Sequence, residues 1–201
     1  MDNLNKFLIV VDMQNDFIDG ALGTEEAKAI VPNVIKKIEA ANEETLILFT
    51  KDTHGPNYME IQEGKNLPVP HCIYEPGKVN EGWYIQKAIR STWMYKKTII
   101  IDPEIVPYIG ENNTINKPTF GSVDLAKVIQ AVIDNKDGSG VEIELVGLCT
   151  DICVISNAML LKAFMPEAKI SVDATCCAGV TPDSHENALK AMEMCQIEIK
   201  R

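Results

Sequence analysis

The chain has 201 residues with a net charge of −10, and 46% of its residues are hydrophobic. That length suits one domain with a substantial core, and the composition is ordinary for a globular enzyme. The negative charge disfavours nucleic acid or an anionic membrane surface as a partner, because both require clustered Lys and Arg. No apolar run reaches the roughly 18 to 20 residues that span a bilayer, and we expect no signal peptide. We therefore expect a cytoplasmic protein whose six cysteines are thiols.

Short apolar runs alternate with amphipathic stretches along the chain. The expected strands are residues 7–11, 46–50, 98–101, 114–116, 143–146, 170–172 and 197–199. The expected helices are residues 25–41, 122–134, 151–164 and 184–194, with Thr24 and Thr181 as N-caps. This alternation predicts an α/β fold with a doubly wound, mostly parallel sheet and helices on both faces. Residues 1–201 are interpreted as a single domain, and the irregular stretch 52–95 is expected to carry function.

Three separated residues lie at or just beyond the ends of expected strands and fit one active site. Asp12 follows the first strand, Lys117 follows residues 114–116, and Cys153 follows the strand 143–146. Open parallel sheets bind ligands at this edge. Asp12 is a candidate base, although a lone strand-end Asp also caps turns. Lys117 is expected to lower the pKa of a nearby thiol, although a lone lysine is more often a solvated surface charge.

Cys153 is the candidate nucleophile, with an inert core thiol as the alternative. It lies near the start of an expected helix, where the partial positive charge favours a thiolate and backbone N–H groups can bind an oxyanion. Thr150 and Asp151 are expected to cap this helix. The chain has no CxxC pair, which counts against a thiolate zinc finger and against a redox thiol protein.

Carboxylates and imidazoles form a second constellation. Asp52 and His54 are two residues apart after the expected strand 46–50, so an extended backbone points both side chains to one side. Together with Glu63 and His71 they match the ligand types of zinc, manganese or iron. The alternative is that His54, Glu63 and His71 are ordinary loop residues.

Three segments together resemble the isochorismatase-like cysteine hydrolases, and most closely their nicotinamidase branch. They are residues 11–17 (VDMQNDF), 117–122 (KPTFGS) and 147–154 (GLCTDICV). Their order and spacing fit the family over nearly the whole chain, which implies a Rossmann-like, three-layer isochorismatase fold. The resemblance implies a triad of Asp12 as base, Lys117 as its charged partner and Cys153 as nucleophile. It also implies a cis peptide between Leu148 and Cys149, and an oxyanion hole from the N–H groups of Cys149 and Cys153.

The resemblance also implies a divalent metal ion held by Asp52, His54 and His71. Many members place another His between the two histidines, where this chain has none. Glu63 is the expected substitute, with Glu60 as its rival. Zinc is the first choice of metal, and manganese or iron are alternatives. Because the isochorismatase branch itself lacks such a ligand set, these residues favour the amidase branch.

The function implied by the resemblance is hydrolysis of nicotinamide to nicotinate and ammonia, as part of NAD salvage. Phe17 and Phe120 are the best candidates to sandwich a flat ring, with Trp83 as a third, although core packing is an equal alternative for each. A related hydrolase acting on another small amide, carbamoyl or ureido compound is the second hypothesis. A non-catalytic metal- or ligand-binding relative is the third. The family resemblance also implies a homo-oligomer.

Overall fold

A parallel sheet forms the centre of the computed structural model, which describes residues 4–73 and 113–201. Within those ranges the sheet has six strands, which are β1 Lys6–Val11, β2 Thr45–Asp52, β3 Thr114–Lys117, β4 Glu142–Leu148, β5 Lys169–Ala178 and β6 Glu198–Lys200. Their order in the sheet is β3-β2-β1-β4-β5-β6, and every neighbouring pair is parallel. These confirm the predicted doubly wound α/β fold. The expected strand 98–101 lies outside the described residues.

Helices cover both faces of this sheet, because successive side chains of β1 pack into two different apolar cores. Phe7, Ile9 and Val11 pack in the apolar core on one face. Leu8 and Val10 pack in a second core on the other face. The helices are α1 Asn15–Ile18, α2 Glu25–Ala40, α3 Gln62–Asn66, α4 Val123–Val132, α5 Ile155–Phe164 and α6 Pro182–Met194. Helix α2 covers the second face, whereas α4, α5 and α6 cover the first.

The caps that begin these helices follow from the sequence. The Thr24 side chain accepts a hydrogen bond from the N–H of Ala27, as expected for the N-cap of α2. Thr181 caps α6 and forms a reciprocal capping box with Ser184. Both N-caps are therefore confirmed. None of the helices in the described ranges is long and apolar enough to cross a membrane.

The strand order places the site at the centre of the sheet. Strand β1 lies between β2 and β4, so successive connections leave the centre in opposite directions. This reversal opens a crevice beyond the carboxyl ends of β1 and β4, which is where open α/β sheets bind ligands. Asp12 follows β1 directly, and Cys149 follows β4.

Candidate active site

The three residues of the expected triad meet at this carboxyl edge. Asp12 has a φ of 45°, which turns the chain sharply out of β1. Such a positive φ is uncommon for a residue with a side chain and is typical of functional sites. Lys117 is the last residue of β3. Cys153 lies in a π-helical turn, Thr150–Val154, between β4 and α5.

The Lys117 ammonium contacts both other residues of the expected triad and also Asp52. Its Nζ lies 2.6 Å from Asp12 Oδ2. The same ammonium donates to Cys153 Sγ and to Asp52 Oδ1, each at 3.4 Å. Lys117 is 1% exposed and Asp12 is fully buried, so water screens neither charge. A lysine at this depth is retained only with compensating carboxylates, which excludes the solvated-surface alternative.

The surroundings of the cluster fix its protonation states. Burial raises the pKa of Asp12, and Lys117 opposes that rise. Burial alone would lower the pKa of Lys117, but the carboxylates of Asp12 and Asp52 raise it, so the lysine stays an ammonium. Thr50 Oγ1 donates to Asp12 Oδ1 at 2.7 Å and holds the carboxylate in place.

The Cys153 thiol differs from the expected thiolate. Burial raises its pKa well above the ordinary value, and the charge of Asp12 raises it further. Lys117 lowers the pKa as expected, but the other two effects outweigh it. Cys153 therefore rests as a thiol, and it could act as a nucleophile only if a base removed its proton. Asp12 is the nearest candidate, because the same Lys117 ammonium lies 2.6 Å from Asp12 Oδ2 and 3.4 Å from Cys153 Sγ.

The turn that carries Cys153 also corrects the expected caps. Cys149 is the N-cap residue, and no side chain caps the turn. Thr150 instead bonds His185 Nδ1 at 2.8 Å, and Asp151 accepts from the N–H of Val180 at 3.1 Å. The expectation that Thr150 and Asp151 cap the helix is therefore wrong, because both side chains bind α6 and the loop before it. The peptide between Leu148 and Cys149 is cis, as the resemblance implied.

Gly147 allows this turn to start close to β1. It pairs with Val11 in the parallel register and has a φ of 117°. A Cβ at this position would lie 2.1 Å from the carbonyl oxygen of Val11. Only glycine therefore lets the backbone of β4 approach β1 this closely.

The second constellation forms one cluster beside the triad. Single ligand atoms of Asp52, His54, Glu63 and His71 all lie within 4.8 Å of one another. Asp52 Oδ2 is 3.0 Å from His54 Nε2 and 3.3 Å from His71 Nε2. Glu63 Oε1 is 3.4 Å from His54 Nε2 and 3.7 Å from His71 Nε2. The cluster contains Glu63 and not its rival Glu60.

This cluster fits a small divalent cation. Neighbouring ligands around an ion at about 2.1 Å are about 3.0 Å apart in octahedral geometry and about 3.4 Å apart in tetrahedral geometry. Burial alone would raise the pKa of Asp52, but hydrogen bonds with His54 and His71 hold it well below its usual range. Burial raises the pKa of Glu63. Two carboxylates and two imidazoles are a donor set that a cation would balance.

Outer contacts orient the two imidazoles. His71 Nδ1 donates to the carbonyl of Val69 at 2.8 Å, which leaves Nε2 with its lone pair directed into the cluster. The Tyr58 ring packs against both imidazoles, with ring centroids 4.8 Å from His54 and 5.0 Å from His71. These buried contacts exclude the ordinary-loop alternative for the two histidines.

A cavity of about 670 Å³ joins the two groups of residues. Cys149 and Cys153 line one part of it, and Asp52, Glu63 and His71 line another. Its volume lies in the usual range for small-molecule sites. The Cys153 thiol and three of the four cluster residues, Asp52, Glu63 and His71, therefore line the same cavity.

The two expected aromatic residues that the structure describes also line this cavity. Phe17 is buried and meets the His71 ring edge-on, with centroids 5.4 Å apart. Phe120 is 46% exposed, so it is not a core residue. Trp83 lies outside the described residues.

Three polar residues that support the site were not singled out from the sequence. Thr50 bonds Asp12, as described above. Asn157 donates to the carbonyls of Cys153, at 2.8 Å, and Phe120, at 3.2 Å. Gln14 bonds the backbone of Asp52 on both its N–H and its C=O. The only sequence signal for Gln14 was its position in the segment 11–17, and Asn157 had none.

Comparison with known proteins identifies the family. The isochorismatase domain model matches residues 6–199, which is nearly the whole chain. This chain belongs to the isochorismatase family. Members of this family are hydrolases. None of the curated protein sequences compared with the chain matches it.

Solved structures share the fold of this isochorismatase-family protein. The pyrazinamidase of Pyrococcus horikoshii in complex with zinc is 24% identical, with 98% of this chain and 99% of that chain covered and a TM-score of 0.66. The nicotinamidase/pyrazinamidase of Bacillus subtilis is 23% identical, with 98% and 100% covered and a TM-score of 0.68. The N-carbamoylsarcosine amidase of Thermoplasma acidophilum is 22% identical, with 98% and 96% covered and a TM-score of 0.63. At these identities the likeness supports the fold alone.

Proposed function

We propose that this protein is a metal-assisted cysteine amidohydrolase, with nicotinamide as the leading substrate. The observation that carries the proposal is the shared cavity between the Cys153 thiol and the ligand cluster. Lys117 connects the two groups, because it contacts both Cys153 and Asp52 at 3.4 Å. A small amide bound across the cavity would place its carbonyl at the thiol and its ring at the cluster.

The reaction begins with proton transfer from Cys153 to Asp12. The thiolate then attacks the amide carbonyl, and the carbon–sulfur bond forms as the carbonyl π electrons move to oxygen. The N–H groups of Cys149 and Cys153 receive this oxyanion. Asp12 returns the proton to the amide nitrogen as the carbon–nitrogen bond breaks, and ammonia leaves a thioester on Cys153.

Hydrolysis of the thioester completes the cycle. Asp12 is again a carboxylate and removes a proton from the attacking water, and the thiolate leaves and recovers that proton. Lys117 stays charged throughout, because its neighbours raise its pKa. Its constant positive charge favours the carboxylate form of Asp12, with which each half-reaction begins.

Asp52, His54, Glu63 and His71 are proposed to hold the divalent ion, with zinc as the first choice and manganese or iron as alternatives. When bound, such an ion supplies a Lewis-acid contact for a pyridine nitrogen and lowers the pKa of a bound water. Phe17 and Phe120 are proposed as the aromatic walls that hold a flat ring. We further propose a single-domain, cytoplasmic protein that forms a homo-oligomer, which size-exclusion chromatography with light scattering would check.

Ammonia release from nicotinamide by purified protein tests this function. The protein is assayed after chelation, and again after addition of zinc, manganese or iron. We expect release that depends on the added metal. A panel of other small amides, carbamoyl compounds and ureido compounds is assayed in parallel. Release from a panel member, with none from nicotinamide under any metal, would retain the cysteine hydrolase but remove nicotinamide as its substrate.

A further inference from the structure

Strand β2 continues beyond the point where its neighbour β1 ends. The parallel ladder runs to the pair Val10 and Phe49, and the N–H of Asp12 then bonds the carbonyl of Thr50. At Asp12 the chain turns away with a φ of 45°. Among the residues that the structure describes, no strand therefore lies beside the backbone of Asp52 on this side, at the end of β2. Asp52 is buried, so its N–H and C=O require partners within the protein.

The side-chain amide of Gln14 supplies both partners. Its Oε1 accepts from the Asp52 N–H at 2.7 Å, and its Nε2 donates to the Asp52 carbonyl at 3.0 Å. The Gln14 amide thus makes the two hydrogen bonds that the backbone of a neighbouring strand would otherwise make with Asp52. Gln14 is 3% exposed, so water does not compete for these bonds.

Two residues further along, on the same side, the hydrogen-bond partner of this extended segment is the chain next to His71. The N–H of His54 donates to the carbonyl of Cys72 at 3.0 Å. Gln14 reaches this segment too, because its Nε2 donates to Cys72 Sγ at 3.2 Å. Asp16 adds an acceptor for the Cys72 N–H at 2.6 Å. Gln14 is therefore bonded both to the backbone of Asp52 and to the residue after His71.

We propose that Gln14 is a positioning residue for the divalent-metal site, acting as a substitute strand that sets Asp52 and His71 at ligand distance. The inference rests on the metal site of the proposed function. The hydrogen bonds of Gln14 go to the backbone of Asp52 and to Cys72 Sγ, so its effect is exerted through these two residues. Mutation of a residue that hydrogen-bonds a metal ligand typically lowers the metal affinity about 10- to 100-fold.

Calorimetric titration of chelated protein with Zn²⁺, and separately with Mn²⁺, tests the inference without any substrate. The variants are Gln14→Ala, which removes all three bonds, and Gln14→Glu, which keeps the acceptor for the Asp52 N–H but loses the donor. Gln130→Ala is the matched control, because Gln130 on α4 donates to the carbonyls of Lys136 and Phe164, which belong to neither the triad nor the ligand cluster. Circular dichroism of each metal-free variant establishes that it is folded.

We expect both Gln14 variants to bind the metal about 10- to 100-fold more weakly than the wild type, with Gln130→Ala within about two-fold. Folded Gln14 variants that bind the metal with wild-type affinity would overturn this inference and leave the proposed function standing. An equal loss in Gln130→Ala would also overturn it, since the loss would then follow from general destabilisation. A wild-type protein that takes up neither metal would overturn the metal site of the proposed function, and this inference with it.

Discussion

Replacement of Lys117 by Met removes the cation from the buried pair with Asp12 and keeps a side chain of similar length. The two charged atoms are 2.6 Å apart, and neither residue is more than 1% exposed. Loss of one partner of such a pair destabilises by about 3–5 kcal/mol, because the remaining charge is buried without compensation. Breaking this pair should therefore have a large effect on the free energy of unfolding.

Protonation of Asp12 limits that effect and makes it depend on pH. An unfolded aspartate has a pKa of about 3.9, so protonating it at pH 7 costs about 1.36 × 3.1, or about 4 kcal/mol. At pH 5 the same calculation yields about 1.5 kcal/mol. Burial already raises the pKa of Asp12, and loss of Lys117 raises it further. A carboxyl group with a raised pKa is stabilising below its unfolded pKa, and that stabilisation is lost as the pH rises towards the folded pKa.

We therefore expect Lys117→Met to lose about 3–4 kcal/mol at pH 7 and about 1.5 kcal/mol or less at pH 5. Urea unfolding followed by circular dichroism at both pH values measures this loss. Lys28→Met is a matched control, because Lys28 also lies 2.6 Å from a carboxylate, that of Glu25, but in an exposed pair. That variant should change little. A loss below about 1 kcal/mol at pH 7, or an equal loss at both pH values, would refute the reasoning.

Three further outcomes follow from the geometry. Gly147→Ala should lower the free energy of unfolding in urea by about 2–6 kcal/mol, because its Cβ would clash with the Val11 carbonyl and its φ is positive. Gly140→Ala should lower it less, because a Cβ there has open space. Iodoacetamide should label Cys153 faster as the pH rises through 9, because its pKa is raised and the thiolate reacts; a plateau below pH 8 would contradict this. Asn157→Asp removes the donor to the Cys153 carbonyl, and it should lower the free energy of unfolding by about 1–3 kcal/mol and reduce turnover. Unchanged stability and turnover would show that this hydrogen bond is dispensable.

The parallel strands were predictable because their apolar runs are buried on both faces. Residues 7–11 illustrate this, since all five are buried and lie within β1. Strand β5 was predicted too short, as residues 170–172, whereas it runs from Lys169 to Ala178. The part of β5 that was missed begins with Asp173, which pairs with Lys37 at 2.6 Å, and a local pattern cannot show that distant partner.

The same limit applies to the site. Asp12, Lys117 and Cys153 come together as expected, because parallel strands bring their carboxyl ends to one edge. The raised pKa of the Cys153 thiol was not predictable, since it depends on how completely distant residues bury it. Neither was the bond of Thr150 with His185, which left the expected cap unused. The sequence pattern shows which residues follow a strand and so lie at the carboxyl edge of the sheet. Their burial and their side-chain partners depend on tertiary packing, which a local pattern does not show.

Ammonia release by Cys153→Ala, compared with wild type and with Cys195→Ala, tests most directly whether Cys153 is the nucleophile. Cys195 is exposed at the end of α6 and serves as the control for losing a thiol. All three proteins are assayed with the same amide and the metal that activates the wild type. We predict wild-type release from Cys195→Ala and none above background from a folded Cys153→Ala. Release by Cys153→Ala at the wild-type rate would contradict the proposed mechanism.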